Sequence, residues 1–138
     1  MDVYKKRKRT FDKLNKIDFS IVERKLSLVG HNNKLIKRMK KECLRYLSII
    51  SNAPKGIFFA PSFLVDEFWH NSILHTKQYA DEVSIACGRF LHHHPSDGSK
   101  KSRKRDENAF WNTIQAYQET YGEPDLEVWG LDKKGVKS

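Results

Sequence analysis

The sequence predicts an all-α fold, a single-domain bundle of about four to five helices with a histidine-bearing loop. Three observations carry this. Apolar residues recur at three- and four-residue spacing in four separate segments. Gly30, Gly88 and Gly122 fall just past segment ends, where helices commonly stop. Only Ile57 to Ala60 forms a short apolar run that fits a strand or buried coil. At 138 residues the chain fits one domain, and eight Phe, five Tyr and three Trp can fill its core.

Residues 1–10 (MDVYKKRKRT) are expected to form a disordered basic tail, since charge dominates and apolar anchors are few. The folded domain then covers 11–138. A first helix begins near Asp18 and carries Phe19, Val22, Leu26 and Val29 on one face, with Asp18 or Ser20 as its cap. A second runs from about Asn32 to Ile50, with Leu35, Ile36, Met39, Cys43, Tyr46 and Leu47 inward and a basic exterior. Ser51 to Gly56 reads as a loop. A third helix starts at Pro61-Ser62, with Ser62 as N-cap, and ends near His75 or runs on to Cys87. Pro95 to Ser99 is a turn. The last long helix begins between Arg103 and Asp106 and carries Phe110, Ile114, Tyr117 and Tyr121. One further turn is expected to dock Trp129 onto the core.

Net charge is +9, with a pI near 9.6. Lys34, Lys37, Arg38, Lys41 and Arg45 form one basic cluster and Lys101, Arg103, Lys104 and Arg105 another. These are the candidate nucleic-acid contacts, and an acidic protein surface fits the same charge. The plainer alternative is a set of solvated faces. No zinc-finger spacing, glycine-rich phosphate loop or aromatic RNA-binding signature accompanies them. No apolar run is long enough for a membrane span, and no apolar segment follows the N-terminal basic residues. The expected compartment is the cytoplasm, with Cys43 and Cys87 reduced and in the core.

Five of the six histidines lie between Pro61 and Pro95, in PSFLVDEFWHNSILHTKQYADEVSIACGRFLHHHP. On a helix, Asp66 and His70 share a face and can hold one divalent metal, or form a carboxylate–imidazole hydrogen bond. His92 and His93 are the candidates for the missing ligands. In an extended segment His92 and His94 point one way and His93 the other. Imidazole with carboxylate suits zinc or iron, whereas calcium and magnesium use oxygen ligands. The alternative is a hydrogen-bonded cluster that joins two helices. His75 suits a core or capping role, Tyr79 and Trp69 pack inward, and Glu67 supports the pair or is solvated. No nucleophile elbow or Cys–His pattern supports covalent catalysis.

The segments Val65-Asp66-Glu67-Phe68-Trp69-His70, Ile73-Leu74, Thr76, Tyr79 and Gly88-Arg89-Phe90-Leu91-His92-His93, closed by Pro95, resemble the glycine-rich-domain-containing-protein-like family, especially its small bacterial members. Tyr121-Gly122-Glu123-Pro124 and Trp129 match a late element more loosely. The resemblance implies a helical core with a polar His/Asp centre. It implies no established function, since the family is largely of unknown activity. Its plant members join this domain to glycine-rich and RNA-binding-like segments. Cys87 stands later than the cysteine many relatives carry after the tyrosine.

Two functions therefore stand open. One is a metal-binding protein with a site at Asp66, His70, His92 and His93, extending to a metal-dependent enzyme on a phosphate-rich substrate. The other is a non-catalytic basic module or regulator in which the cluster is structural.

Overall fold

Side-chain caps set the starts of most helices in the computed structural model, which describes residues 1–94 and 98–137. Asp2 accepts from the Lys5 N–H and opens α1 (Val3–Leu14). Asp18 accepts from the Ser20 N–H at the head of α2 (Ser20–Leu28). Asn32 accepts from Leu35 and opens α3 (Asn33–Ser51). Ser62 caps α4 (Phe63–Leu74) through Val65, as the sequence predicts. Ser99 and Asp125 cap α6 (Lys100–Tyr121) and α7 (Leu126–Trp129) in the same way. Each such cap contributes about 1 kcal/mol.

Between α4 and α6 lies α5, a continuous stretch in three parts. It is α-helical over Thr76–Gln78, π-helical over Tyr79–Val83 and α-helical again over Ser84–Cys87. His75 separates it from α4 with φ −88° and ψ 72°, outside helical geometry. The predicted third helix therefore ends at the nearer of its two expected limits. Gly88 follows α5 at φ +79°, a left-handed conformation that turns the chain into the histidine segment.

The fold class is the expected one: among the described residues the chain is all-α, with no strand beyond an isolated bridge between Leu131 and Lys137. Helix α3 packs against α1, α2, α4, α5, α6 and α7. Trp129 is buried at the centre, with the Tyr46, Phe110 and Tyr117 rings 5.9–6.2 Å away. Ile57 to Ala60 is coil, and α6 starts earlier than expected, at Lys100. The expected turn over 95–99 falls partly outside the described residues. No helix among the described residues is long and apolar enough to cross a membrane.

The N-terminus departs from expectation. Residues 3–14 form a helix, not a disordered tail. Its inward stripe is Val3, Arg7, Thr10, Phe11 and Leu14, and two of those five positions are polar, which hides it from an apolar count. Both polar side chains find partners on other helices or their ends. The Arg7 guanidinium donates to Thr120 Oγ1 at 2.9 Å, and Thr10 Oγ1 accepts from Asn52 at 3.1 Å.

Candidate functional site

Helix α4 carries Asp66, Glu67, Trp69 and His70 on its first and second turns. The backbone after Gly88 brings Leu91, His92 and His93 back across it. Asp66 Oδ1 and His93 Nε2 form a short hydrogen bond, with the carboxylate 40% and the imidazole 21% exposed. The Trp69 ring lies 4.6 Å from the His93 ring, centroid to centroid. His70 is exposed, its ring 6.3 Å from that of His93.

Tyr79 holds this arrangement from beneath. Its hydroxyl accepts from Trp69 Nε1 at 3.0 Å and donates to the Leu91 carbonyl at 2.6 Å. One phenol thus fixes both the indole under His93 and the backbone two residues before it. Burial pushes the Tyr79 hydroxyl up to about 12, so it remains a donor at neutral pH. The sequence places Tyr79 in the core, and it is buried. Its bridging role depends on the break at His75 and the π turn, which reset the phase that a straight helix would give.

Asp66, Trp69, Leu91, His92 and His93 form one wall of a groove of about 970 Å³. Tyr46 and Ile50 of α3, the loop at Phe58 and Phe59, and Arg105 of α6 complete it. Burial raises the Tyr46 hydroxyl well above its ordinary value, and the neighbouring Asp66 carboxylate adds to the shift. The rim is aromatic and wet: Phe58 is 66%, Phe63 82% and Phe90 47% exposed. Arg89 lies on the same groove and donates to the Ile50 carbonyl at 2.5 Å. A smaller cavity of about 350 Å³ adjoins it through Phe58 and Arg105, and adds Lys101, Lys104, Asn108 and Asn112 along one face of α6.

The four expected metal ligands divide. Asp66 and His93 meet, and His70 stands beside them. His92 turns the other way, its ring 4.9 Å from Phe90 and 6.3 Å from His94, which is the alternation predicted for an extended segment. Among the described residues no three His, Cys, Asp or Glu side chains are grouped as metal ligands would be. Glu67 is neither solvated nor attached to the pair. It bonds His31 at 2.8 Å, the one histidine outside the expected segment. His75 caps the end of α4, in line with expectation.

The basic candidates divide too. Lys34, Lys37 and Lys41 are exposed on α3, and Lys101, Arg103, Lys104 and Arg105 on α6. Arg38 and Arg45 are engaged with other residues of the chain. Arg38 forms a two-pronged pair with Asp125 (2.7 and 3.0 Å) and also reaches Glu127. Arg45 donates to the Tyr117 hydroxyl and lies over the Tyr121 ring at 4.8 Å. Both guanidinium groups thus already have partners within the chain, whereas the lysines and the α6 arginines project outward. The aromatic rim escapes the sequence pattern, because exposed Phe and buried Phe look alike until the fold is known.

The UCP032817-like family profile matches residues 5–119, most of the chain. The chain belongs to the UCP032817-like family. Two proteins of Arabidopsis thaliana are also similar: glycine-rich domain-containing protein 2, 27% identical over 66 residues, and glycine-rich domain-containing protein 1, 31% identical over 65. Those matches cover 48% and 47% of this chain but only 8% of each relative. The resemblance carried by the VDEFWH and GRFLHHHP segments is thereby borne out for this UCP032817-like chain. No solved structure matches it significantly.

Proposed function

We propose that this protein binds single-stranded nucleic acid in the groove beside Asp66 and His93. The carrying observation is the rim: Phe58, Phe63 and Phe90 are exposed together around a concave surface that Arg89 and Arg105 also line. Exposed aromatic rings carry a hydration cost, and stacking a base on each recovers about 1–3 kcal/mol. Lys101, Lys104 and Asn108 continue from Phe58 along α6 and suit the phosphates of the same strand. A duplex hides its base faces and would use only the cations. The proposed setting is the cytoplasm, in keeping with Cys43 and Cys87 as free thiols.

Fluorescence anisotropy with short labelled oligonucleotides tests this. Single strands bind more tightly than duplexes of the same sequence, affinity falls with salt, and Phe63→Ala with Phe90→Ala removes the preference. Equal affinity for both forms, unmoved by those substitutions, overturns the reading and favours a purely electrostatic partner such as an acidic protein surface.

A second reading keeps zinc or iron. Asp66 and His93 line the groove and His70 stands beside them, its ring 6.3 Å from that of His93, and an ion would have to part Asp66 from His93 to bind both. Elemental analysis of tag-free protein decides it: about one metal per chain, lost in Asp66→Ala, is the expected result on this reading.

A further inference from the structure

We infer that the groove selects guanine, with the Asp66 carboxylate and the Tyr46 hydroxyl reading its Watson–Crick edge. This deepens the single-strand reading above and rests on it. Tyr46 is 2% exposed, yet the groove reaches it. Among the described residues its hydroxyl forms no hydrogen bond. The other two buried tyrosines use theirs, Tyr79 on Trp69 and Leu91 and Tyr117 on Glu42. A polar group at such depth without a partner calls for one, and the open side of Tyr46 is the groove. Burial holds the hydroxyl well above its ordinary value, so it stays protonated and donates.

Asp66 lines the same space. Its side chain is 40% exposed, and one oxygen bonds His93. An ionised carboxylate accepts at about four lone-pair positions, so most of that capacity is open. Trp69 ties the two groups together. It follows Asp66 by three residues on α4, and its ring lies 5.5 Å from that of Tyr46. A carboxylate in a groove for a polyanion repels phosphate, so the group opposite it must donate protons. The group opposite Tyr46 must accept one. Among the common bases only guanine carries two neighbouring donors, N1–H and the 2-amino group, with an acceptor, O6, beside them. Adenine and cytosine would set a ring-nitrogen acceptor against the carboxylate, and thymine or uracil flanks one donor with two acceptors. Asp66 therefore takes both guanine donors, and the Tyr46 hydroxyl donates to O6. A single strand presents this edge, which pairing hides in a duplex. Phe63 and Phe90 on the rim offer rings for stacking, while Arg89 and Arg105 suit the flanking phosphates.

The test is fluorescence anisotropy with the full chain and oligothymidylates that carry one central guanine, adenine, cytosine or hypoxanthine. Wild type is expected to bind the guanine strand about 10- to 100-fold more tightly than the adenine, cytosine and all-thymine strands. Hypoxanthine keeps O6 and N1–H but lacks the 2-amino group, so its strand should bind about 10-fold more weakly than the guanine strand. Equal affinity for those two overturns the contact to Asp66, and this comparison needs no substitution. Tyr46→Phe deletes a hydroxyl that no described residue holds, and Asp66→Asn keeps an acceptor for His93. Each should cut the guanine preference by about 10-fold, with circular dichroism checking the fold. A guanine preference undiminished in both folded variants overturns the assignment to this pair. Wild type that binds every strand alike overturns the guanine reading and leaves the single-strand reading intact. Failure to bind any strand overturns both.

Discussion

Between α1, α3 and α6, Glu42 is fully buried and accepts from the Tyr117 hydroxyl at 2.5 Å and the Asp125 backbone N–H at 2.7 Å. Beside α4, Asp66 is 40% exposed and bonds one imidazole. Both are carboxylates set among aromatic rings and cations. The first region is sealed from solvent and mostly paired within itself: Arg45 serves Tyr117, Tyr121 shares a hydrogen with Ser48, and Arg7 serves Thr120, although the Nε of each arginine has no partner. The second faces a groove and retains unused hydrogen-bonding capacity on Asp66. A saturated, sealed carboxylate acts on stability, whereas an open one is available to a ligand.

The sharpest way to break this contrast is Glu42→Leu. It strands the Tyr117 hydroxyl and the Asp125 N–H in the interior, at a cost of about 3 kcal/mol in urea unfolding. Oligonucleotide affinity of the folded fraction should not change. If affinity falls with stability, the two regions are not separate. Next in size is Phe63→Ala, which should weaken single-strand binding by about 1–3 kcal/mol while the melting temperature stays within error. A fall in melting temperature would move Phe63 from the ligand side to the structural side.

Tyr79→Phe sharpens the boundary, because Tyr79 belongs to both sides. It keeps the ring and deletes two hydrogen bonds, for a loss of about 1–2 kcal/mol. The Trp69 indole proton should shift in NMR spectra, and His93 should lose its single orientation. The smallest effect is expected at Arg38→Ala, about 0.5–1 kcal/mol, since 39% of the Arg38 side chain is exposed and its pairs are screened. Its sign with pH is fixed. Arg38 holds the Asp125 carboxyl below its ordinary value. The stabilisation is therefore present above the unfolded carboxylate pKa of about 3.9 and disappears as pH falls through the lower folded value. Wild type and variant should converge in strongly acidic urea titrations. A gap that persists there would assign the effect to packing of the arginine stem.

Much of the fold was legible because it follows from local rules. Ser62 announces its helix through a cap, and Met39, Cys43, Tyr46 and Leu47 mark the buried face of α3 by spacing. The failures have one physical origin: polar residues that are buried with distant partners. Arg7 and Thr10 interrupt the stripe of α1, and only Thr120 and Asn52 explain them. Glu42 lies three residues past Met39 and four before Tyr46, so it sits on the apolar face of α3. That position was a usable signal of a buried carboxylate. In the candidate site, the segment was legible and its pairing was not. Asp66 looked closest to His70 along the helix, but the turn at Gly88 delivers His93 to it. His31 gave no sign at all, since its partner Glu67 lies 36 residues away.

The bond between Arg7 and Thr120 spans 113 residues. It sets an order on synthesis. On the ribosome α1 emerges before the other described helices, yet the threonine that receives its buried arginine is made much later. Until then the earliest helix has a cation without its mate, and the Glu42 carboxylate waits for Tyr117. The clasp between His31 and Glu67 becomes available much sooner. Helix α1 can thus dock early on α3 through Thr10 and Asn52, while its buried arginine is among the later side chains to be partnered.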